Sequence, residues 1–161
     1  MDWSQLFSMQ KQLDTYIEQN HNLEQTDLFH EKYVALLVEI GELANETRCF
    51  KFWSTKPRSE REAILEEYVD GIHFILSLGI EKGFTYENVE RKPVQRTETE
   101  QFIHVFRACV TYNDEPNQQN YERLFTNYLM LGDLLGIGEE ELQQAYIKKN
   151  EINYKRQNEG Y

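Results

Sequence analysis

Cysteine is scarce in this chain of 161 residues, and its two copies match neither a zinc-site spacing nor a disulfide framework. Long apolar runs are missing as well, because no stretch approaches the roughly 18 apolar residues of a membrane span. The opening residues, Met1, Asp2 and Trp3, do not begin a signal peptide. We therefore expect a cytoplasmic protein without membrane association.

Positive charge is also in short supply, since 17 Lys and Arg residues stand against 28 Asp and Glu residues, for a net charge of -11. Nucleic acids and anionic membranes bind basic surfaces, so neither is expected as a partner. A phosphorylated ligand stays compatible, because a bound divalent metal can reverse the local sign of charge. A basic protein regulator could bind such an acidic surface, although no residue identifies one.

Alternating strand patterns are not found, and helical periodicity runs almost from end to end. We predict an all-α, single-domain helical bundle of five to six helices that covers residues 1–161. Thr26 or Asp27 is expected to cap the second helix, and Ser59 with Glu62 predicts a capping box for the third. The predicted helices cover about 2–20, 27–46, 59–83, 97–113, 117–135 and 139–156.

Two pairs of acids stand on the second and third helices, Glu39 with Glu42 and Glu67 with Asp70. A spacing of three residues places both carboxylates of a pair on one helix face. Acids inside an apolar bundle are costly unless a cation joins them. Four carboxylates without an imidazole or thiolate set favour Mg²⁺, or Mn²⁺, and metal-assisted cleavage of a phosphoanhydride. The alternative is that these acids lie on solvated faces.

The helices that carry the acids also contain Gly41 and Gly71, each beside an acid. Glycine lowers helix stability relative to alanine, so we expect a close approach of a neighbouring backbone or a ligand at both positions. Residues 43–66 are long enough to reverse the chain. The two acid pairs can then face each other across antiparallel helices.

The acid pattern resembles that of the all-α nucleoside triphosphate pyrophosphatases, which include the MazG-like enzymes and the dimeric dUTPases. Further segments are similar to the dimeric dUTPases in particular, and residues 84–138 carry no diagnostic motif. The tail is the most specific of these segments. The three segments are residues 9–14 (MQKQLD), residues 50–53 (FKFW), and the tail from Lys149 to Tyr161. In the tail, Asn150, Asn153, Arg156, Gln157 and Gly160 stand at the family's spacing.

This resemblance implies a homodimer that hydrolyses dUTP, and usually dUDP, to dUMP with the help of Mg²⁺. It implies that the four acids are both metal ligands and catalytic groups, one of them orienting or deprotonating the attacking water. Substrate contacts are implied near the base, the deoxyribose and the phosphates. The implied substrate-binding residues are Gln10, Lys51, Trp53, His73, Lys149, Asn153 and Arg156.

Other readings of the same residues stay open. A related pyrophosphatase could prefer dCTP or accept several bases, because a few polar contacts decide the choice. A non-catalytic helical partner protein could use the acids as an interaction surface. Lys149, Asn153 and Arg156 could form a solvated helix face, and Trp53 could be a core or interface anchor. Whether a partner subunit contributes residues is also open.

Overall fold

Six helices and no strand make up residues 1–160, the part of the chain that the computed structural model describes. The predicted all-α bundle of five to six helices is confirmed. Tyr161, the last residue of the predicted tail motif, lies outside the described residues. The helices are α1 (Trp3–Asn20), α2 (Phe29–Thr47), α3 (Arg61–Lys82), α4 (Glu98–Asp114), α5 (Gln118–Leu134) and α6 (Glu139–Asn158).

The start of α3 differs from the prediction. Its N-cap is Glu60, and no side chain makes a capping hydrogen bond there, so the capping box of Ser59 and Glu62 is wrong. The Ser59 backbone N–H instead donates to the carbonyl of Glu46, at 3.0 Å. That bond ties the connector between α2 and α3 back to the end of α2, and the helix starts only after it.

Side chains accept backbone N–H groups at the starts of α2 and α4, but neither Thr26 nor Asp27 is the N-cap residue of α2. The Asp27 carboxylate accepts the N–H of Phe29 at 3.0 Å, although the N-cap residue itself is Leu28. Thr97 and Glu100 form a complete capping box at the start of α4, each side chain bonding to the other residue's backbone N–H. Such bonds satisfy amide groups that the first turn of a helix leaves unpaired.

Helix α3 is the centre of the bundle. It packs against α1, α2, α5 and α6, while α4 packs against α2 and α5. Most residues from Ile64 to Gly79 are buried, so every face of this part of α3 meets another helix. Glu67 and Asp70 of α3 are therefore partly covered by neighbouring helices, whereas Glu62 and Glu66 are exposed. Among residues 1–160, no helix combines the length and the apolar character needed to cross a bilayer.

Two tyrosines hold α3 and α5 together in a reciprocal arrangement. Tyr68 of α3 lies over Gly132 and donates its hydroxyl to the carbonyl of Tyr128 at 3.2 Å. Tyr128 of α5 lies over Gly71 and donates to the carbonyl of Tyr68 at 2.9 Å. The two rings stack with their centroids 4.8 Å apart. The close approach predicted at Gly71 is thus found, whereas an added Cβ at Gly41 would meet no other atom of residues 1–160 within 4 Å beyond its own helical turn.

Candidate active site

Helices α2 and α3 bring three of the four predicted acids together. Glu39, Glu67 and Asp70 each place one carboxylate oxygen within 4.8 Å of the others. All three side chains are half-buried. Glu42 is exposed and lies outside this triad, but it is close enough for its charge to act on Glu39 and Glu67. One acid of the α2 pair thus meets both acids of the α3 pair.

The triad is short of positive charge. Burial, together with the charges of Asp70 and Glu42, raises the pKa of Glu39 to about 8. Burial also raises the pKa of Glu67 and of Asp70. A proton on Glu39 relieves part of this repulsion through a hydrogen bond to Glu67, and a divalent cation would relieve more of it. Several oxygen donors at this separation fit a hard cation such as Mg²⁺.

Lys149 of α6 brings positive charge into direct contact with the triad. Its ammonium lies 2.8 Å from Asp70 Oδ2 and 2.8 Å from Glu66 Oε1, and its side chain is almost fully buried. The resemblance implied a phosphate contact for this residue. In the structure Lys149 connects α6 to the acids, where it can face a phosphate and a carboxylate together.

A cavity of about 360 Å³ opens beside the acids, between α1, α2, α3 and α6. Carboxylates, amides, cations and one imidazole line it together with apolar side chains, a mixture typical of sites for small polar ligands. Among its lining residues are most of the predicted site residues, namely Gln10, Glu39, Asp70, His73, Lys149, Asn153 and Arg156.

A family model described as dUTPase matches residues 2–161. The chain belongs to the dimeric, all-α dUTPase family. The match spans nearly the whole chain and includes the acids, the cavity residues and the tail, so the chain is a dUTP diphosphatase. A comparison with curated proteins found no match. The acid triad is compatible with the divalent metal that dUTPases generally use.

The aromatic connector of this dUTPase lies away from the cavity. Lys51 and Trp53 are not among the cavity's lining residues, and Trp53 is 65% exposed. Its ring packs edge-on against Phe50 and Phe52 and not against the cavity. Lys51 is half-buried with its ammonium over the Phe50 ring, so neither side chain contributes to the cavity within one chain, and their substrate contacts stay a prediction.

Sequence reasoning missed a polar network on another wall of the cavity. Asp14 Oδ1 accepts the side-chain amide N–H of Gln10 at 2.8 Å, and Asp14 Oδ2 accepts the Ser77 hydroxyl at 2.6 Å. The Lys32 ammonium lies 3.8 Å from Asp14 Oδ2 and 2.8 Å from Glu81. One signal was available, because Gln10 and Asp14 are four residues apart and so share a face of α1.

Proposed function

We propose that this dUTPase hydrolyses dUTP to dUMP and pyrophosphate, and dUDP to dUMP and phosphate, with Mg²⁺ held by Glu39, Glu67 and Asp70. Mn²⁺ is the expected substitute. Glu42, at the exposed edge of the triad, would complete the set. The observation that carries the proposal is the meeting of three half-buried carboxylates, two of which, Glu39 and Asp70, line a cavity that also presents Lys149 and Arg156.

The protein's own groups divide the chemistry between them. When bound, Mg²⁺ would offset charge on the phosphates and lower the pKa of water at the site. One carboxylate of the acid set would hold the attacking water and take up its proton. Lys149 and Arg156 face the phosphates from α6, where a guanidinium can make two parallel hydrogen bonds to phosphate oxygens.

The amide groups of the cavity suit a uracil base. Uracil offers an acceptor, a donor and an acceptor along one edge, and the side-chain amide of Asn153 can pair with such an edge. Gln10 of α1 and His73 of α3 are buried in the cavity wall, where they would contact the deoxynucleoside. Removing dUTP in this way would keep uracil out of DNA.

A substrate panel tests this proposal. We expect product release from dUTP and dUDP in the presence of Mg²⁺, and none with EDTA, because the acids need their cation. Turnover of dCTP, dTTP and dATP should be lower by at least about a hundredfold, since unpaired buried polar groups penalise the wrong base. Comparable turnover of nucleotides with several different bases would overturn the uracil assignment and favour a pyrophosphatase of broad base specificity. No release from any nucleotide would favour the non-catalytic partner protein.

We further propose that the enzyme is a homodimer formed through α2 and α4. Val34 and Val38 of α2 are each at least half exposed, and Gly41 lies on the same face three residues further along. Ile103 and Val110 are exposed on the neighbouring α4. Scattered exposed apolar residues are ordinary, but a face shared by two adjacent helices favours a partner. Within residues 1–160, no packing contact accounts for a glycine at position 41.

Replacing Val38 by Arg is expected to convert the dimer to monomers, because it places a charge in an apolar contact. Light scattering after size-exclusion chromatography measures the mass directly. Val89→Arg is the matched control, since Val89 is equally exposed but lies in the connection between α3 and α4. A wild-type protein of monomeric mass would refute the dimer, and a dimeric Val38→Arg variant would place the interface elsewhere.

A further inference from the structure

His73 is a buried imidazole at the wall of the cavity, and one of its nitrogens has no partner. The residue is 5% exposed, and its ring stacks on Tyr146 with the centroids 4.2 Å apart. Its Nδ1 lies 2.6 Å from Gln10 Oε1. Its Nε2 is buried and finds no hydrogen-bond partner among residues 1–160. Buried polar atoms without a partner are rare and need an explanation.

Asp14 determines which way the Gln10 amide points. A carboxylate oxygen only accepts hydrogen bonds, so the Gln10 group that faces Asp14 Oδ1 must be the NH₂. The amide oxygen, Gln10 Oε1, then faces the opposite way, where the Tyr146 hydroxyl donates to it at 2.8 Å. Burial raises the pKa of Asp14, but the Lys32 ammonium and the Ser77 hydroxyl both favour its ionised form.

The orientation of Gln10 in turn determines the tautomer of His73. Gln10 Oε1 is a carbonyl oxygen and only accepts, so His73 Nδ1 must carry the hydrogen. Burial and the nearby Lys149 charge lower the pKa of His73 to about 3, so the ring is neutral and carries a single N–H. His73 Nε2 is therefore a bare lone pair at the cavity wall.

We propose that Asp14 is a positioning residue that, through Gln10, holds His73 as the Nδ1–H tautomer and so makes Nε2 an acceptor for a ligand donor. The identity of the ligand rests on the proposed function: a nucleoside offers an O–H on its sugar and, for uracil, an N–H on its base. The wall is thus selective for a group that donates a hydrogen bond at this point, and a ligand that only accepts there leaves two lone pairs facing each other.

The Asp14→Asn variant reverses this chain of hydrogen bonds. Lys32 and Ser77 both face Asp14 Oδ2, so the oxygen of the new amide stays on that side. Its NH₂ then faces Gln10 and requires the Gln10 amide to turn. We expect His73 to change from the Nδ1–H to the Nε2–H tautomer.

Nitrogen-15 NMR of the histidine rings measures this change, because protonated and bare ring nitrogens have well separated shifts. Asp114→Asn, the same substitution at an exposed site at the end of α4, should leave the His73 shifts unchanged. A bare Nδ1 in the wild-type protein would overturn the proposal without any variant. An unchanged tautomer in a folded Asp14→Asn variant would overturn it as well.

Binding of dUMP without metal tests the second half of the proposal. Asp14→Asn should weaken dUMP binding about tenfold or more, because a donor then faces a donor. Two analogues identify the group involved: 2′,3′-dideoxyuridine monophosphate lacks the sugar hydroxyl, and N3-methyl-dUMP lacks the base N–H. For the analogue that lacks the contacting group, Asp14→Asn should no longer weaken binding. A tautomer switch with unchanged dUMP affinity would overturn the ligand contact, whereas failure of dUTP hydrolysis alone would leave the tautomer result standing.

Discussion

Glu39→Gln is expected to lower kcat for dUTP about a thousandfold while the protein still folds. Glu39 is the only acid of α2 in the triad, so its loss separates the cation site from that helix. A catalytic cation supplies several kcal/mol of charge stabilisation, and about 1.4 kcal/mol corresponds to a tenfold change in rate. Steady-state kinetics over a range of Mg²⁺ concentrations measures the loss and shows whether more Mg²⁺ restores part of it.

Glu31→Gln is the matched control, because it is the same change on the same helix at an exposed site in the first turn. Its kcat should stay within about twofold of the wild-type value. Circular dichroism should show equal helix content in all three proteins. Full activity of Glu39→Gln would remove the triad from the mechanism, and loss of helical structure would make Glu39 a structural residue instead.

Glu39→Gln should also make the metal-free protein more stable at neutral pH. The pKa of Glu39 is raised from 4.5 to about 8. Between pH 4.5 and about 8, Glu39 is therefore protonated in the folded protein but ionised in the unfolded chain. The free energy of unfolding in EDTA should therefore fall as pH rises from about 4.5 to about 8, and the fall should flatten in Glu39→Gln. Urea unfolding at pH values across this window measures both. A wild-type stability that rises across it would contradict the charge repulsion.

The helices, and the shared face of each acid pair, could be predicted because they depend on local spacing. Periodicity shows which side of a helix is apolar, and a spacing of three places two carboxylates on one face. The Asp14–Lys32 pair could not be predicted in this way, because it joins α1 to α2 across the cavity, and these two helices do not pack against each other. A helical pattern shows which face is buried, but not which side chain of another helix it meets.

Gly41 and Gly71 show the same limit at the level of single residues. Both stand in a helix beside an acid, and the same argument predicted a close contact at each. Tyr128 makes that contact at Gly71 because α5 crosses α3 there, while α2 presents Gly41 to the outside of the chain. The connector with Trp53 is similar, since no rule of spacing shows whether an aromatic residue between helices points inward.

Gly71→Ala is expected to destabilise the protein by about 3 kcal/mol, the largest stability effect of a single methyl group that we predict. A Cβ at this position would lie 2.6 Å from Tyr128 Cζ and closer still to the hydroxyl oxygen. The Tyr128 ring cannot turn aside, because it stacks on Tyr68 and donates to its carbonyl. Overpacking of this kind costs roughly 1–3 kcal/mol or more, which exceeds the gain of up to about 1 kcal/mol in helix propensity.

Thermal unfolding measures the effect, and a loss of this size should lower Tm by about 10 °C in a domain of this length. Gly138→Ala is the control, since a Cβ there meets no described atom within 4 Å, and its effect should stay below about 1 kcal/mol. Gly41→Ala is less suitable, because Gly41 lies on the proposed dimer face.

A double-mutant cycle then separates crowding from a general intolerance of alanine. In a Tyr128→Phe background the atom nearest to the new methyl group is gone. The cost of Gly71→Ala should therefore be smaller by about 1 kcal/mol than in the wild-type background. Equal losses in both backgrounds would show that the hydroxyl is not the obstacle. Because Gly71 follows Asp70 directly, a shift of α3 away from α5 would also move a proposed metal ligand. Residual dUTP hydrolysis by Gly71→Ala should therefore fall with Tm, and a variant that loses stability but keeps full activity would separate this packing from the site.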